Sequence, residues 1–382
     1  VHAGLIQPTA IDWSADGRNL YVSEKAGIAK VYRDGQLASA PIIDISAIVN
    51  NFSDRGLLDV AVHPDLNNNP YMYLLYTYDP PEVWDHVGNG YAGPDETGNR
   101  AGQLMRITLD ASTNFTTMVA GSETILLGNA STWDNFNAFT TSIVNFAEPP
   151  AGQNPDGSYI RDFINSDSTT HTITSLEFAI DGSLFVSIGD GASYNQTDPR
   201  AVRVQDIDSL SGKILRIDPI TGKGLSDNPF FNGDADANRS KVYQLGLRNP
   251  FRIAVDDVTG RLFIGDVGWT AWEEINTGDP GANFGWPYYE GGQGYNIVTP
   301  GGYLGLPSGQ EFLANGGQAT PSIISLSHVG DGINAIVMGD VIRGGNLGLL
   351  YEGDIIFNDL GQGIVRRASV NADGQVTEIS AF

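Results

Sequence analysis

Short runs of alternating apolar and polar residues, broken by turns carrying Asp with Gly or Pro, recur along this chain. Each pair of runs with its turn predicts a β-hairpin. Such hairpins are expected at Ala10 to Glu24 around Asp16-Gly17, Leu57 to Tyr78 around Pro64-Asp65, Leu176 to Asp190 around Asp181-Gly182, and Ile253 to Gly268 around Asp256 to Gly260. Strand pairs follow at Gly332 to Arg343 and Asp354 to Ala368, and Gln103 to Leu109 with Met118 to Leu127 holds enough strand-like sequence for another blade. Apolar positions keep helical spacing for no more than about a dozen residues anywhere, so the fold class is all-β. Units of about 50 to 60 residues, loops included, suit four-stranded antiparallel blades repeated radially. About six fit the length. The expectation is a six-bladed β-propeller forming a single domain over residues 1–382. Its long loops, Asp79 to Gly102, Asn145 to Thr170 and Tyr288 to Pro321, would crowd one face.

Composition narrows the function. Hydrophobic residues make up 41% of the chain, enough for a large core. Forty-five acidic residues against 21 basic ones give a formal charge of −24, which argues against nucleic-acid binding because phosphate contacts need clustered Lys and Arg. The carboxylates serve either as a solvated surface or, for a minority, as calcium ligands. Cysteine is absent, which excludes disulfides, zinc thiolate sites, iron–sulfur clusters and cysteine nucleophiles. No apolar run is long enough for a transmembrane segment, and the chain opens at Val1-His2-Ala3-Gly4 without a signal peptide. We therefore expect an exported protein, secreted, periplasmic or on the cell surface, or a domain of one.

Proton chemistry has few candidates among the five histidines. His63 precedes Pro64-Asp65 and is expected to fix that turn through a backbone hydrogen bond. His2 is terminal, and His86 lies in a Gly-rich loop. His171 stands just before one strand of a hairpin whose other strand ends at Asp190, so the two can meet at one rim, where a carboxylate would fix the tautomer of a general base. The plainer alternative is an Asp capping its own turn and a His satisfied by loop backbone. Arg248-Asn249, ahead of Pro250, offers clustered donors to anionic or carbonyl oxygens. The loop from Gly265 to Asn276, followed by Ala282 to Pro287, combines backbone carbonyls with Glu side chains, the hard oxygens calcium prefers. Trp269, Trp272 and Trp286 there can equally be packing aromatics.

Six ordered segments resemble the glucose/sorbosone dehydrogenase family of PQQ-dependent soluble sugar dehydrogenases. They are Arg55-Gly56-Leu57-Leu58 with His63-Pro64-Asp65, Ser187-Ile188-Gly189-Asp190-Gly191, Ser211 to Asp218, Asp227-Asn228-Pro229-Phe230, Gly246 to Pro250, and Gly281 to Tyr288. The resemblance implies a six-bladed propeller that binds PQQ and calcium and oxidises the anomeric C1 hydroxyl of an aldose to a lactone. Hydride would pass to PQQ, and an external electron acceptor would complete the cycle. It places His171 as the base, Asp190 as its carboxylate partner and Arg248 at the quinone oxygens. Asn249 joins the cofactor site, Asp54 stands at its rim where the family often has Gln or Glu, and Arg343 and Arg367 would meet cofactor carboxylates. Gly268 and Trp269 would lend carbonyls to a catalytic calcium, and Glu274, Phe284, Glu290 and Gly292 resemble a structural calcium site.

Two other readings compete. A non-catalytic extracellular binding propeller is suggested by the Hedgehog-interacting proteins, which carry a run similar to Asp54 to Leu58. A calcium-dependent hydrolase or lactonase would need a central cluster of acidic ligands from several blades, which the sequence does not offer.

Overall fold

The computed structural model describes residues 4–79, 100–132, 135, 151–291, 302–345, 347–371 and 374–382. Five antiparallel sheets follow one another along the chain. The first holds β1 (Pro8–Trp13), β2 (Asn19–Glu24), β3 (Ile28–Arg33), β4 (Gln36–Leu37) and β5 (Ile43–Asp44). The second holds β6 (Leu57–Val62), β7 (Tyr71–Tyr78), β8 (Arg100–Thr108), β9 (Thr124–Leu127) and β10 (Asn165–Ser166). The third is β11 (Ile173–Phe178), β12 (Leu184–Ile188), β13 (Lys213–Ile217) and β14 (Val242–Leu245). The fourth is β15 (Pro250–Val255), β16 (Leu262–Asp266), β17 (Trp272–Asn276) and β18 (Ile324–Ser327). The fifth is β19 (Ile336–Val341), β20 (Ile355–Asp359), β21 (Ile364–Val370) and β22 (Val376–Ala381).

The expected count of six blades is therefore corrected to five among the described residues. Gln103 to Leu109 and Met118 to Leu127 do not build a blade of their own, because β8 and β9 complete the sheet begun by β6 and β7. Dividing the length by one repeat also assumes equal loops. The second sheet instead stretches from Leu57 to Ser166. All four expected hairpins form, as β1–β2, β6–β7, β11–β12 and β15–β16. Parts of the three long loops lie outside the described residues. Within the third, Pro307–Ala314 forms a short helix.

Apolar layers join consecutive sheets. Val31, Val60 and Leu74 lie between the first and second, and Tyr73, Leu75 and Leu176 between the second and third. Phe185, Ile214 and Ile253 pack between the third and fourth, and Phe263, Ile336 and Phe357 between the fourth and fifth. Among the described residues no comparable layer joins the fifth sheet to the first. No helix there is long and apolar enough to cross a membrane.

The first strand of each sheet lies innermost, and polar side chains hook one such strand to the next. Asp12 of β1 accepts from the Val62 amide of β6 at 2.7 Å, Asp59 of β6 accepts from the Leu176 amide of β11 at 2.8 Å, and Thr174 Oγ1 of β11 donates to the Pro250 carbonyl of β15 at 2.7 Å. Arg252 of β15 gathers them: its Nη1 donates to the carbonyls of Thr174 (2.7 Å) and Phe251 (3.0 Å), and its Nη2 to those of Thr9 (2.8 Å) and Leu58 (2.9 Å). One guanidinium thus joins the inner strands of four sheets. Charged hydrogen bonds contribute about 1.5–3 kcal/mol each, and unmet carbonyls cost a similar amount, although losses at one group are not additive. Arg252→Met is expected to lower unfolding stability by about 2–4 kcal/mol in denaturant titration. A change below about 0.5 kcal/mol would remove Arg252 as the axial tie.

Candidate active site

Register brings the expected pair together. Ile173 of β11 pairs with Ile188 of β12, and two residues further out on each strand stand His171 and Asp190. His171 Nδ1 lies 2.8 Å from Asp190 Oδ1, with 4% and 1% of the residues exposed. The backbone there is unusual. His171 has φ 54°, a left-handed conformation uncommon for a side-chain-bearing residue. Gly189 passes directly beneath, where a Cβ would fall 2.4 Å from the His171 carbonyl oxygen. The glycine in Ser187-Ile188-Gly189-Asp190-Gly191 is therefore needed for close approach.

Asp190 is held on every side. Its Oδ1 also accepts from the Ala192 amide (2.8 Å) and its Oδ2 from Trp286 Nε1 (2.8 Å). Its amide donates to the Arg248 carbonyl at 2.7 Å, and its carbonyl accepts from buried Arg203. Burial works to raise its carboxyl, but His171, Arg248 and the Ala192 amide outweigh it and hold it below the ordinary range. Burial, reinforced by the Arg248 guanidinium, lowers the His171 imidazole against the opposing pull of Asp190. A lowered imidazole beside a carboxylate held ionised favours the neutral ring donating Nδ1–H to Asp190, with Nε2 left to accept a proton.

His171 opens onto a cavity of about 440 Å³, within the usual range for small-molecule sites, shared with Asp54, Arg248, Asn249, Gly268 and Trp269. Asp266 positions two of these, accepting from the backbone amides of Arg248 (3.0 Å) and Asn249 (2.7 Å). Arg248 Nη1 donates to the carbonyls of Val267 (3.0 Å) and Gly268 (2.5 Å), and Nη2 to that of Tyr194 (3.0 Å). Its guanidinium lies 5.5 Å from the centre of the Trp286 ring. Two buried atoms have no protein partner, Arg248 Nε, a donor, and Asn249 Oδ1, an acceptor. Orphaned groups at 4% and 8% exposed residues mark a place for a polar ligand.

Other expected site residues stand elsewhere. Arg343 is bound bidentately to Asp256 at 2.7 and 2.6 Å, and Arg367 to Asp354 at 2.5 Å, and neither lines the cavity. Gly292 lies outside the described residues. At Gly268 the residues do not fit a calcium ion, because its carbonyl already faces the Arg248 guanidinium. Glu290 Oε1 accepts from the amides of Trp269 (2.8 Å), Thr270 (2.8 Å), Ala271 (2.9 Å) and Trp272 (3.1 Å), a nest that closes this turn. Glu274 is buried alongside, accepting from the Gly291 amide and Asn276. Burial pushes its carboxyl up to about 7, with Glu290 and Glu273 adding repulsion. Glu274 and Glu290 offer the hard carboxylate oxygens that calcium prefers, but among the described residues no cluster of three or more ligating side chains surrounds them. Phe284 is buried and packs between the third and fourth sheets.

Sequence reasoning missed several participants. Trp286 was visible only as a packing aromatic, yet its indole fixes Asp190. Lys25 and Tyr194 also line the cavity, and nothing local marks them. His63 does what was expected, accepting from the Asp65 amide at 3.1 Å. His328 pairs with Glu273 at 2.8 Å.

With this geometry established, comparison with known proteins gives a consistent picture. The sequence model described as Glucose / Sorbosone dehydrogenase matches residues 5–143 and 158–337. Aldose sugar dehydrogenase YliI of Escherichia coli is 25% identical over 292 residues, covering 76% of this chain and 62% of that protein. Quinoprotein glucose dehydrogenase B of Acinetobacter calcoaceticus is 26% identical over 304 residues, covering 76% of this chain and 52% of its own length. The chain thus spans roughly half to three-fifths of these relatives. The mouse Hedgehog-interacting protein matches over 83 residues at 36% identity, covering 20% of this chain and 12% of that protein. The PQQ-bound aldose sugar dehydrogenase of Streptomyces coelicolor superposes on 100% of this chain and 83% of its own with a TM-score of 0.63 at 19% identity, a likeness of fold.

A titration consequence follows from the buried ring. Its folded value lies below the ordinary 6.5, so the unfolded chain takes the proton first. Stability contributed by the neutral ring is complete above 6.5 and is lost as pH falls from there toward the folded value. Denaturant titrations from about pH 7.5 down to 5 should show a steeper loss for the native chain than for His171→Gln. Parallel curves would contradict a buried neutral imidazole.

Proposed function

Because this chain belongs to the glucose/sorbosone dehydrogenase family, we propose that it is a PQQ-dependent aldose sugar dehydrogenase oxidising the anomeric C1 hydroxyl to a lactone. The observation that carries the reading is the neutral His171, fixed by Asp190, beside a cavity with an orphaned donor and an orphaned acceptor. PQQ suits that cavity by chemistry, since its quinone oxygens, carboxylates and pyrrole N–H can satisfy Arg248 Nε and Asn249 Oδ1. When bound, it supplies the acceptor for the hydride leaving C1, and an external acceptor must later take the electrons.

The chain's own residues do the rest. His171 Nε2 takes the proton of the C1 hydroxyl, and Asp190 keeps the opposite nitrogen protonated and stabilises the imidazolium that results. Trp286 and Ala192 anchor Asp190, so the base cannot swing away from the cavity. Arg248, braced on three backbone carbonyls, presents positive charge with little reorganisation. A protein that only bound a partner through this face would have no use for a neutral imidazole oriented by a buried carboxylate.

His171→Ala is expected to lower aldose-dependent dye reduction by about 10²–10⁴-fold while PQQ still binds. Undiminished oxidation would overturn its role as the base. We further propose that Glu274 and Glu290 hold a calcium ion that stabilises the turn at residues 269–272. Calcium added to the metal-free protein should raise its Tm by a few degrees, and Glu274→Gln should remove most of that response. An equal rise in the variant would place the ion elsewhere.

A further inference from the structure

A polycarboxylate cofactor draws on the cationic side chains that line its cavity, Arg248 among them, and Arg343 and Arg367 lie outside it. The cavity has a second cationic side chain. Lys25, in the turn between β2 and β3 of the first sheet, lines it alongside Ser53, Asp54 and Leu58. Its Nζ donates to the Asn51 carbonyl at 2.7 Å and to Asn51 Oδ1 at 2.9 Å.

The backbone around Lys25 is built for that placement. Its amide donates to the Gln7 carbonyl at 2.9 Å, and its carbonyl accepts from the Leu57 amide at 2.9 Å. Gly56 leaves the room its stem requires, since a Cβ there would fall 2.7 Å from Lys25 Cγ and 2.8 Å from Lys25 O. The glycine of Arg55-Gly56-Leu57-Leu58 thus seats Lys25 against the cavity wall.

We propose that Lys25 is a cofactor-binding residue whose ammonium pairs with a carboxylate of PQQ, the role that the resemblance gave to Arg343 and Arg367. The inference rests on the PQQ reading above. Ammonium and guanidinium would then reach the cofactor from the turn between β2 and β3 and from the connection between β14 and β15. No redox step is assigned to Lys25, which binds and positions only.

Affinity for PQQ and for its trimethyl ester, which lacks the charges, tests this in the full chain by fluorescence quenching. Lys25→Met is expected to weaken PQQ binding by about 10- to 100-fold, the usual worth of a charge-assisted contact. It should leave ester binding within about twofold, and Lys25→Arg should restore part of the PQQ affinity. Arg343→Met should leave PQQ affinity unchanged. Equal losses for acid and ester would make Lys25 a structural brace and overturn the inference, as would full PQQ affinity in Lys25→Met or loss confined to Arg343→Met. Failure of the unaltered chain to bind PQQ would instead sink the underlying cofactor reading, and this inference with it.

Discussion

A single guanidinium on the axis sets the geometry on which the site depends. Arg252 satisfies backbone carbonyls from three neighbouring inner strands and its own, at a place where strand pairing cannot reach because each sheet is closed by its own ladder. Apolar layers between sheets are non-directional and tolerate sliding. Hydrogen bonds from a planar fork do not. Together with the hooks from Asp12, Asp59 and Thr174, it fixes the heights of the inner strands relative to one another. Thr9 and Leu58, whose carbonyls Arg252 holds, also line the cavity that His171 enters. Axial order is thereby passed directly to the site.

Within that frame Asp190 converts strand register into chemistry. Its side chain meets His171 and Trp286 while its main chain meets Arg248 and Arg203, so four parts of the molecule converge on one residue. Burying a carboxylate is costly unless its oxygens are well supplied with donors, and here the supply comes from an imidazole, an indole and an amide. The same burial that makes the arrangement costly keeps the imidazole uncharged.

Features that depend on neighbours in sequence were legible before the fold was known. The hairpins were, and so was the meeting of His171 with Asp190, which needs only antiparallel pairing carried two residues past Ile173 and Ile188. Blade number was not, because the second sheet absorbs strands separated by long insertions. The partners of Arg343 and Arg367 were equally hidden. In a chain with 45 acidic residues many carboxylates compete for each cation, and only the tertiary arrangement decides that Asp256 and Asp354 win. Trp286 was conspicuous in sequence, but its bond to Asp190 crosses from one sheet's loops to another's.

The backbone contact between Gly189 and His171 has an implication for how such a molecule diversifies. The height of the imidazole is set by main chain pressed on main chain, with no loop side chain in between. Rim residues of the cavity such as Ser53 and Asp54 can therefore change without moving the imidazole. What lines the cavity and what holds the imidazole are thus separable, one free to vary at the rim and one locked into the sheet beneath it.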